Sequence, residues 1–476
     1  MHGSAFHLAA QLFLMICTYL VSVVLARGLG PAAFGAYGII YSLLMTIELI
    51  GRFGIPQATG KLMAEQPEGN APIAATGLTL SLLTYGFLFG AMWLLAPVLA
   101  AVLRIPDGTF LMRLAFWDIP IYGTFFALWH ILNAQRRFVI ESMSFVLYGA
   151  TKAIGVAVLL MLGPTVAEAL IVNIVASAVA LLFIAWFVGR TPWRFSLERA
   201  RPVLRLAAPI AVLVIGINLL PNIDLWLLSA VGRGTPEAVL GYYVAALSIA
   251  RIPNFVAHAM NAALVTAIAS ALGAGDRRAV QRALQGATRF LMITLLPAGT
   301  LLAINAREIL TLLYSAHYAA AAPLLAILVF SQGVFITMFT TLVSIMTGGG
   351  QETAASRLAL AVLPLAVVAT FVLTTQVGAP GAALGSLISC AAAVAGAGRL
   401  LRREHGPLLG AGTLVRVVLA TAALGAASAL VHADGPWLLL ELVVLGLAYL
   451  AALPVLGLVG RGDIELLRPA VRESGG

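Results

Sequence analysis

Long apolar stretches follow one another along almost the whole chain, and they restrict the fold more than any other feature. As α-helices, runs of about 20 residues match the ~30 Å hydrocarbon core of a bilayer. Glycine, proline or charged residues separate fourteen such runs, at 6–26, 34–56, 73–103, 109–131, 140–163, 166–189, 206–231, 238–264, 286–313, 319–347, 355–377, 379–400, 412–432 and 436–459. Tight turns such as GPTVAE at 163–168 leave the count open between twelve and fourteen.

The runs are continuous and do not alternate with polar residues, which favours helices over the strands of a membrane β-barrel. Only 10% of the 476 residues are charged, whereas about 25% is typical of soluble domains. The sequence therefore predicts an all-α polytopic membrane protein with about 14 transmembrane helices. The N-terminal MHGSAFHL lacks a charged region and a cleavage site, so we expect the first run to be a retained helix and not a signal peptide.

Several classes of function are disfavoured by the sequence. The net charge is +9, but no basic arm or aromatic-interleaved basic patch predicts nucleic-acid binding. Cys17 and Cys390 lie inside apolar runs and indicate neither a disulfide framework nor a metal site. GGGQE at 348–352 lacks the lysine of a phosphate-binding loop, and no His-Glu-x-x-His or Gly-x-Ser-x-Gly motif occurs. We therefore predict that the protein is not an enzyme and has no cofactor or metal.

The distribution of lysine and arginine predicts the orientation in the membrane, because cytoplasmic loops carry an excess of both. With the N-terminus in the cytoplasm, five cations lie in outside loops, namely Arg27, Arg104, Arg113, Arg233 and Arg307. Twenty lie in inside loops: Lys61, Arg136, Arg137, Arg190, Arg194, Arg199, Arg201, Arg205, Arg277, Arg278, Arg282, Arg289, Arg357, Arg399, Arg402, Arg403, Arg416, Arg461, Arg468 and Arg472. The bias predicts an even number of helices with both termini in the cytoplasm.

The stretch ARGLGPAAFGAY at 26–37 returns in altered form as GRGTPEAVLGYY at 232–243. At one offset of 206 residues, six of 16 aligned positions are identical: Arg27/Arg233, Gly28/Gly234, Ala32/Ala238, Gly35/Gly241, Tyr37/Tyr243 and Ser42/Ser248. Both stretches are predicted to be tight outside turns after an odd-numbered helix. The offset predicts two parallel six-helix repeats, related by an axis along the membrane normal. They occupy 1–200 and 201–405, and 406–476 holds two extra helices and a cytoplasmic tail.

These motifs also resemble a known family. LARGLGPAAFGAYGIIYSL resembles the first hairpin of oligosaccharide flippases, the polysaccharide-transport branch of the multidrug/oligosaccharidyl-lipid/polysaccharide exporter superfamily. NIDLWLLSAVGRGTPEAVLGYYVAA at 222–246 resembles the seventh and eighth helices of that family. LYSAHYAAAAPLLAIL at 313–328, MTGGGQ at 346–351 and LNAQRR at 132–137 resemble further loops of it. The resemblance covers most of residues 1–405.

The resemblance implies a V-shaped, two-lobed transporter in a bacterial cytoplasmic membrane. By alternating access, it would move polyprenyl-diphosphate-linked oligosaccharides from the inner to the outer leaflet, for surface polysaccharide biosynthesis. Its partners would then be the lipid-linked glycan, the bilayer, glycosyltransferases and a polysaccharide polymerase. Two alternatives within the superfamily are a peptidoglycan lipid-precursor flippase and a multidrug cation antiporter, for which a carboxylate-dominated cavity would be typical. A membrane enzyme such as a glycan polymerase would need large outer loops or an acid–base pair, and the sequence indicates neither.

Charged and amide side chains inside the apolar runs are the candidate substrate-binding residues, because a charge at mid-bilayer is costly and usually functional. They are Glu48, Arg52, Asp118, Lys152, Asn222, Asp224, Arg251, Asn254 and His258. Glu48 and Arg52 share one helix face, and so do Arg251, Asn254 and His258. Lys152 and Arg251 lie closest to the middle of their runs, one in each predicted lobe. Both are suited to a diphosphate.

Structural roles are open for the same residues. Arg52 is near a run end and could extend to the inner interface, or form a structural pair with Glu48. Asp224 could brace the helix break at Pro221 and leave substrate untouched. Asp118, which precedes Pro120, could likewise have a purely structural role. Lys152 or Arg251 could form salt bridges to Asp118 or Glu48.

Overall fold

The structure is a computed structural model, and it describes residues 2–52, 54–65, 70–188, 195–232, 236–254, 277–431, 433 and 435–458. Every regular element in these ranges is helical, in agreement with the predicted all-α class. Many large apolar side chains lie on the outside, among them Phe87, Met161 and Trp186, which are 73%, 88% and 84% exposed. Such a surface suits lipid and not water.

The chain divides into two compact units. The first consists of Met1–Asn222 with Pro236–Gly241, and the second of Ile223–Thr235 with Tyr242–Gly476. The predicted lobe limits at 200 and 405 stay predictions.

The first eight helices, α1 to α8, belong to the first unit. Their bounds are α1 His2–Arg52, α2 Ile55–Glu65, α3 Asn70–Leu103, α4 Gly108–Phe116, α5 Asp118–Ala134, α6 Phe138–Leu162, α7 Val166–Val188 and α8 Leu197–Leu219. Within α1 the helix is interrupted at Gly30, whose φ of 71° lies in the left-handed region that favours glycine. Pro31 follows it. The predicted outside turn between the first two runs is therefore a sharp kink at a single residue.

The remaining helices run from α9 to α18. Their bounds are α9 Ile223–Val231, α10 Glu237–Ala250, α11 Arg277–Ile304, α12 Ala306–Leu313, α13 Ala322–Leu328, α14 Ile336–Gly348, α15 Glu352–Val377, α16 Ala379–His405, α17 Ala411–Val431 and α18 Trp437–Val455. The 3-10 helix Leu220–Asn222 joins α8 to α9, and another, Ala316–Ala321, precedes α13. A π-helix, Val329–Phe335, joins α13 to α14.

Eleven helical segments in the described residues are long and apolar enough to cross a membrane. One of them, Ala9–Glu65, spans 57 residues and contains two predicted runs on either side of Gly30. The fourth predicted run is split into α4 and α5, and the eighth begins with α10 and continues beyond the described residues. The polytopic helical fold is confirmed, while the number fourteen stays a prediction.

Small residues bring α15 and α16 into close contact. A Cβ atom on Gly381 would lie 2.0 Å from the Leu373 carbonyl oxygen, and one on Gly385 would lie 2.4 Å from the Cα of Thr370. Backbone atoms cannot yield as a flexible side chain can, so no side chain fits at these two positions. Close backbone approach through small residues is a common way in which membrane helices associate.

We expect Gly381→Ala to lower thermal stability strongly, because the added methyl group must push α15 and α16 apart. The measurement is the melting temperature of detergent-purified protein by size-exclusion chromatography. Gly446→Ala is the matched control, since nothing lies within 4 Å of a Cβ there. Equal melting temperatures for the two variants would contradict the close contact.

Candidate functional site

Three of the predicted site residues come together inside the first unit. Glu48 on α1, Asp118 at the start of α5 and Lys152 in α6 are 3%, 0% and 4% exposed. The two carboxyl groups lie within hydrogen-bonding reach of each other, and Lys152 interacts electrostatically with both. The structure thus gathers two acids and one base, from three helices, in a buried position.

Asp118 lies where α4 gives way to α5. Pro120 has no N–H to donate to the Phe116 carbonyl, so a regular helix cannot run through this point. The chain turns at Trp117, and Asp118 becomes the first residue of α5. A carboxylate is favoured there by the partial positive charge of a helix N-terminus.

Tyrosine side chains surround the ammonium group of Lys152. Its Nζ donates a hydrogen bond to the hydroxyl of Tyr41 at 2.8 Å. The same atom lies 4.4 Å from the centre of the Tyr41 ring and 5.7 Å from that of Tyr148. Tyr148 and Lys152 are four residues apart and share one face of α6. Aromatic rings stabilise a cation that has left water, so Lys152 is held in place without a direct hydrogen bond to a carboxylate.

The Asp118 carboxylate is fixed from α7. Asn173 donates its amide to Asp118 Oδ2, and Tyr148 donates its hydroxyl to Asn173 Oδ1 at 3.3 Å. Ser177, one helical turn further along α7, also interacts with Asp118. The polar groups of α5, α6 and α7 thereby form one connected network.

Arg52 and Asn222, also predicted from the sequence, lie beside this cluster in the first unit. The Arg52 guanidinium lies 3.7 Å from the centre of the Phe126 ring, and neither Glu48 oxygen accepts a hydrogen bond from it. Asn222 donates to the hydroxyl of Thr46 at 3.1 Å. Glu48 and Arg52 therefore do not form the hydrogen-bonded pair that the sequence left open as an alternative. The Arg52 guanidinium stacks on the Phe126 ring.

A second polar network lies in the second unit, around Asp224 of α9. Asp224 is 1% exposed, and its Oδ2 accepts hydrogen bonds from Tyr243 Oη at 3.0 Å and Gln332 Nε2 at 3.3 Å. Its Oδ1 accepts the backbone N–H of Leu225 at 2.8 Å. Gln332 also donates to the Ser386 hydroxyl of α16 at 3.1 Å. Asp224 is therefore anchored by three donors from three helical elements.

Arg251 stands at a break in the helix that begins with α10. The helix ends at Ala250, and residues 251–253 form a turn before Asn254, as expected from the missing N–H of Pro253. The Arg251 side chain is partly exposed and interacts electrostatically with Asp224. Of Lys152 and Arg251, the two cations nearest the middle of their predicted runs, Arg251 is therefore the more exposed one.

The π-helix packs against this break. A Cβ on Gly333 would lie 2.5 Å from the Ala250 carbonyl oxygen, so only glycine permits the contact. Just beyond it, the Thr337 hydroxyl donates to the Asn254 side-chain oxygen. π-Helical turns and broken membrane helices are common at functional sites. His258, the remaining predicted site residue, lies outside the described residues.

The sequence did not single out the uncharged partners Tyr41, Tyr148, Asn173, Tyr243 and Gln332. Tyr243 was visible only as part of the repeat, where it aligns with Tyr37. Gln332 is an amide within a predicted run and could have been selected by the rule that was applied to asparagine. The tyrosines gave no indication, because an aromatic residue in an apolar run is usual in any membrane helix. Within the described residues, no three His, Cys, Asp or Glu side chains are grouped as a metal site would require.

Solved structures of membrane transporters share this fold. The lipid II flippase MurJ, in an inward closed conformation, has a TM-score of 0.76 at 15% identity, covering 94% of this chain and 97% of that one. An inward-facing multidrug resistance MATE family transporter has a TM-score of 0.68 at 15% identity, covering 82% and 95%. A transporter from Pyrococcus furiosus has a TM-score of 0.60 at 17% identity, covering 85% and 94%. No curated protein matches the chain.

Family models identify the chain more closely. The MatE model matches residues 209–372, and together with the shared fold it defines a membrane transporter of the multidrug/oligosaccharidyl-lipid/polysaccharide exporter superfamily. The model of the polysaccharide biosynthesis protein family matches residues 1–272, more than half of the chain. The chain belongs to that family, which confirms the superfamily expected from the sequence.

Proposed function

We propose that this protein is a flippase that moves polyprenyl-diphosphate-linked oligosaccharides from the inner to the outer leaflet of a bacterial cytoplasmic membrane. The observation that carries the proposal is Arg251, a partly exposed guanidinium at a helix break inside the apolar part of the chain. A diphosphate needs positive charge to cross about 30 Å of hydrocarbon. Arginine can bind phosphate oxygens with two parallel hydrogen bonds.

The network around Arg251 supports the same substrate class. Asp224 interacts with Arg251 electrostatically, yet it takes its hydrogen bonds from Tyr243, Gln332 and a backbone N–H. An arriving diphosphate can therefore engage the guanidinium while Asp224 keeps its other donors. Asn254, three residues beyond Arg251, adds an amide of the kind that sugar hydroxyls bind.

Lys152 is the second cation proposed for the substrate's negative charge. It is buried in the first unit and held by Tyr41. The electrostatic effect of the Lys152 ammonium group extends beyond the groups that it contacts, since electrostatic interactions are long-ranged where water is excluded. We infer that it lowers the energy of the anion in transit without binding it in the observed arrangement.

A peptidoglycan lipid precursor remains the alternative that the fold favours, because MurJ matches nearly the full length of this chain. The two candidates share a diphosphate on a lipid carrier and differ in the glycan. A multidrug cation antiporter is less compatible with the site, because each polar network contains a cation that would repel such a substrate.

Reconstituted flipping separates these candidates. Proteoliposomes would receive a fluorescent polyprenyl-diphosphate oligosaccharide, lipid II, or a lipophilic cation dye, and translocation would be read by quenching in the opposite leaflet. We expect flipping of the oligosaccharide lipid and no transport of the dye. Liposomes without protein are the control for spontaneous movement. Transport of the dye alone would overturn the proposal. Transport of lipid II alone would overturn the proposed substrate and support the peptidoglycan lipid precursor in its place.

A further inference from the structure

A cavity of about 520 Å³ lies at the beginning of α11, apart from the residues of both polar networks. In the part of the chain that the structure describes, it is lined by Arg278, Gln281, Arg282 and Gln285, and none of these four side chains is acidic. They follow one another at steps of three and four residues, so they share one face of α11. Two guanidinium groups and two amides therefore line one cavity, and all four can donate hydrogen bonds.

The loop between α16 and α17 packs against the same face of α11. Gln285 Nε2 donates to the Pro407 carbonyl oxygen at 2.9 Å, and a Cβ atom on Gly406 would lie 2.9 Å from Gln281 Nε2. Gly406 has a φ of 85°, in the left-handed region that favours glycine. The loop therefore lies beside the cavity, in contact with two of its lining residues.

This end of α11 is also the end of three candidate membrane spans. Those spans are Val280–Ile304 in α11, Ala379–His405 in α16 and Ala411–Val431 in α17. Arg278 precedes the first span, and residues 406–410 connect the other two. The polar headgroups of lipids occupy this level of a bilayer. The excess of arginine in these loops predicts that it is the cytoplasmic side.

Positive charge exceeds negative charge among the described residues near this loop. Arg402 and Arg403 are exposed in the last turn of α16. The acidic residue of that turn, Glu404, accepts a hydrogen bond from the Gln351 amide and lies 3.9 Å from His405 Nε2. Glu404 therefore has partners of its own, and an anion at this surface meets mainly cations.

The two arginines of the cavity are suited to a phosphate group. Both side chains are exposed, and Arg282 Nε donates to the Arg278 carbonyl oxygen at 3.4 Å. This bond turns the Arg282 guanidinium back along the helix face, towards Arg278. A guanidinium can bind phosphate oxygens with two parallel hydrogen bonds. Basic pockets between membrane helices are known to bind the headgroups of anionic lipids.

We propose that this cavity binds the phosphate of an anionic phospholipid headgroup, with Arg278 and Arg282 as its cationic partners and Gln281 as a further donor. A membrane phospholipid is favoured over a phosphate from solution because the cavity lies at the level of the headgroups, where such lipids are concentrated. The site is separate from the residues proposed for the transported lipid-linked glycan.

Native mass spectrometry of the purified full chain tests the site by counting bound lipids during a titration. Phosphatidylglycerol and phosphatidylcholine both carry a phosphate, but only the first has a net negative charge. We expect the wild type to bind one phosphatidylglycerol about tenfold more tightly than phosphatidylcholine. Arg278→Gln combined with Arg282→Gln should weaken phosphatidylglycerol binding by about tenfold or more, since each arginine near a membrane surface contributes roughly a factor of five.

Arg201→Gln combined with Arg205→Gln is the matched control. These two arginines are also exposed and four residues apart, but they lie on α8 and do not line the cavity. The control variant loses the same charge and should bind phosphatidylglycerol as the wild type does. Melting temperatures without added lipid should agree for both double variants and the wild type, because the four substituted side chains are exposed.

Several results would overturn the proposal. Equal wild-type affinities for the two phospholipids would remove the selectivity for an anion, and this measurement decides even where a variant does not fold. An equal loss of binding in both double variants would indicate attraction to surface charge in general. Displacement of phosphatidylglycerol by an equal concentration of inorganic phosphate would assign the cavity to a free anion. Tighter binding of a polyprenyl diphosphate through the same two arginines would assign it to the transported lipid.

Discussion

Arg251→Ala is expected to reduce flipping of a polyprenyl-diphosphate oligosaccharide by at least about a hundredfold, while the folded protein is retained. Removing one partner of a desolvated charge pair typically costs about 2–5 kcal/mol. The fold should survive because Asp224 keeps donors from Tyr243, Gln332 and Leu225. The measurement is initial flipping rate in proteoliposomes, normalised to monodisperse protein.

Arg251→Lys separates charge from geometry. Lysine keeps the positive charge and loses the planar fork that binds two phosphate oxygens, so we expect partial activity. Arg113→Ala is the matched control, because that guanidinium lies over the Trp93 ring, 4.0 Å from its centre, and belongs to neither network. Wild-type rates for Arg251→Ala would remove Arg251 from the proposed site.

The helical architecture was largely predictable because burial in lipid leaves a coarse pattern in the sequence. Each apolar run had to be long enough to span the bilayer, and the runs coincide with helices wherever the structure describes them. The interruptions were harder to predict. Breaks in the helices occur near Pro120 and Pro253, and each proline explains its break once the structure shows it. Pro97 and Pro364, however, lie inside the uninterrupted helices α3 and α15. Whether a proline breaks a membrane helix depends on whether neighbouring helices can donate a hydrogen bond to the carbonyl group that the proline leaves without one.

The candidate site was predictable only in part. Charges inside apolar runs are conspicuous because they are costly, so Glu48, Asp118, Lys152 and Asp224 could be selected individually. Their partners could not, because those contacts join distant parts of the chain. Lys152 and Tyr41 are 111 residues apart, and no local spacing relates them. The position of Asp118 against Glu48 likewise depends on how α1 packs against α5, which no periodicity specifies.

Lys152→Ala is expected to reduce flipping by about ten- to a hundredfold, because the buried positive charge that is proposed to stabilise the diphosphate in transit is lost. Lys152→Arg should be tolerated better. A guanidinium can still donate to the Tyr41 hydroxyl and stack on an aromatic ring, although its larger volume must be fitted into a position that is 4% exposed. Flipping rates of the two variants, measured side by side, give the comparison.

Alanine also leaves a cavity beside Tyr41, so a second variant must distinguish lost charge from lost packing. Lys152→Met fills nearly the same volume without the charge and should be as inactive as Lys152→Ala. Lys61→Met is the matched control, because Lys61 is exposed on α2 and belongs to neither network. If Lys152→Met transports normally, volume and not charge is the requirement at this position. Normal transport by the Arg251→Ala, Lys152→Ala double variant would contradict the role proposed for both cations, because no other cation is proposed to neutralise the diphosphate.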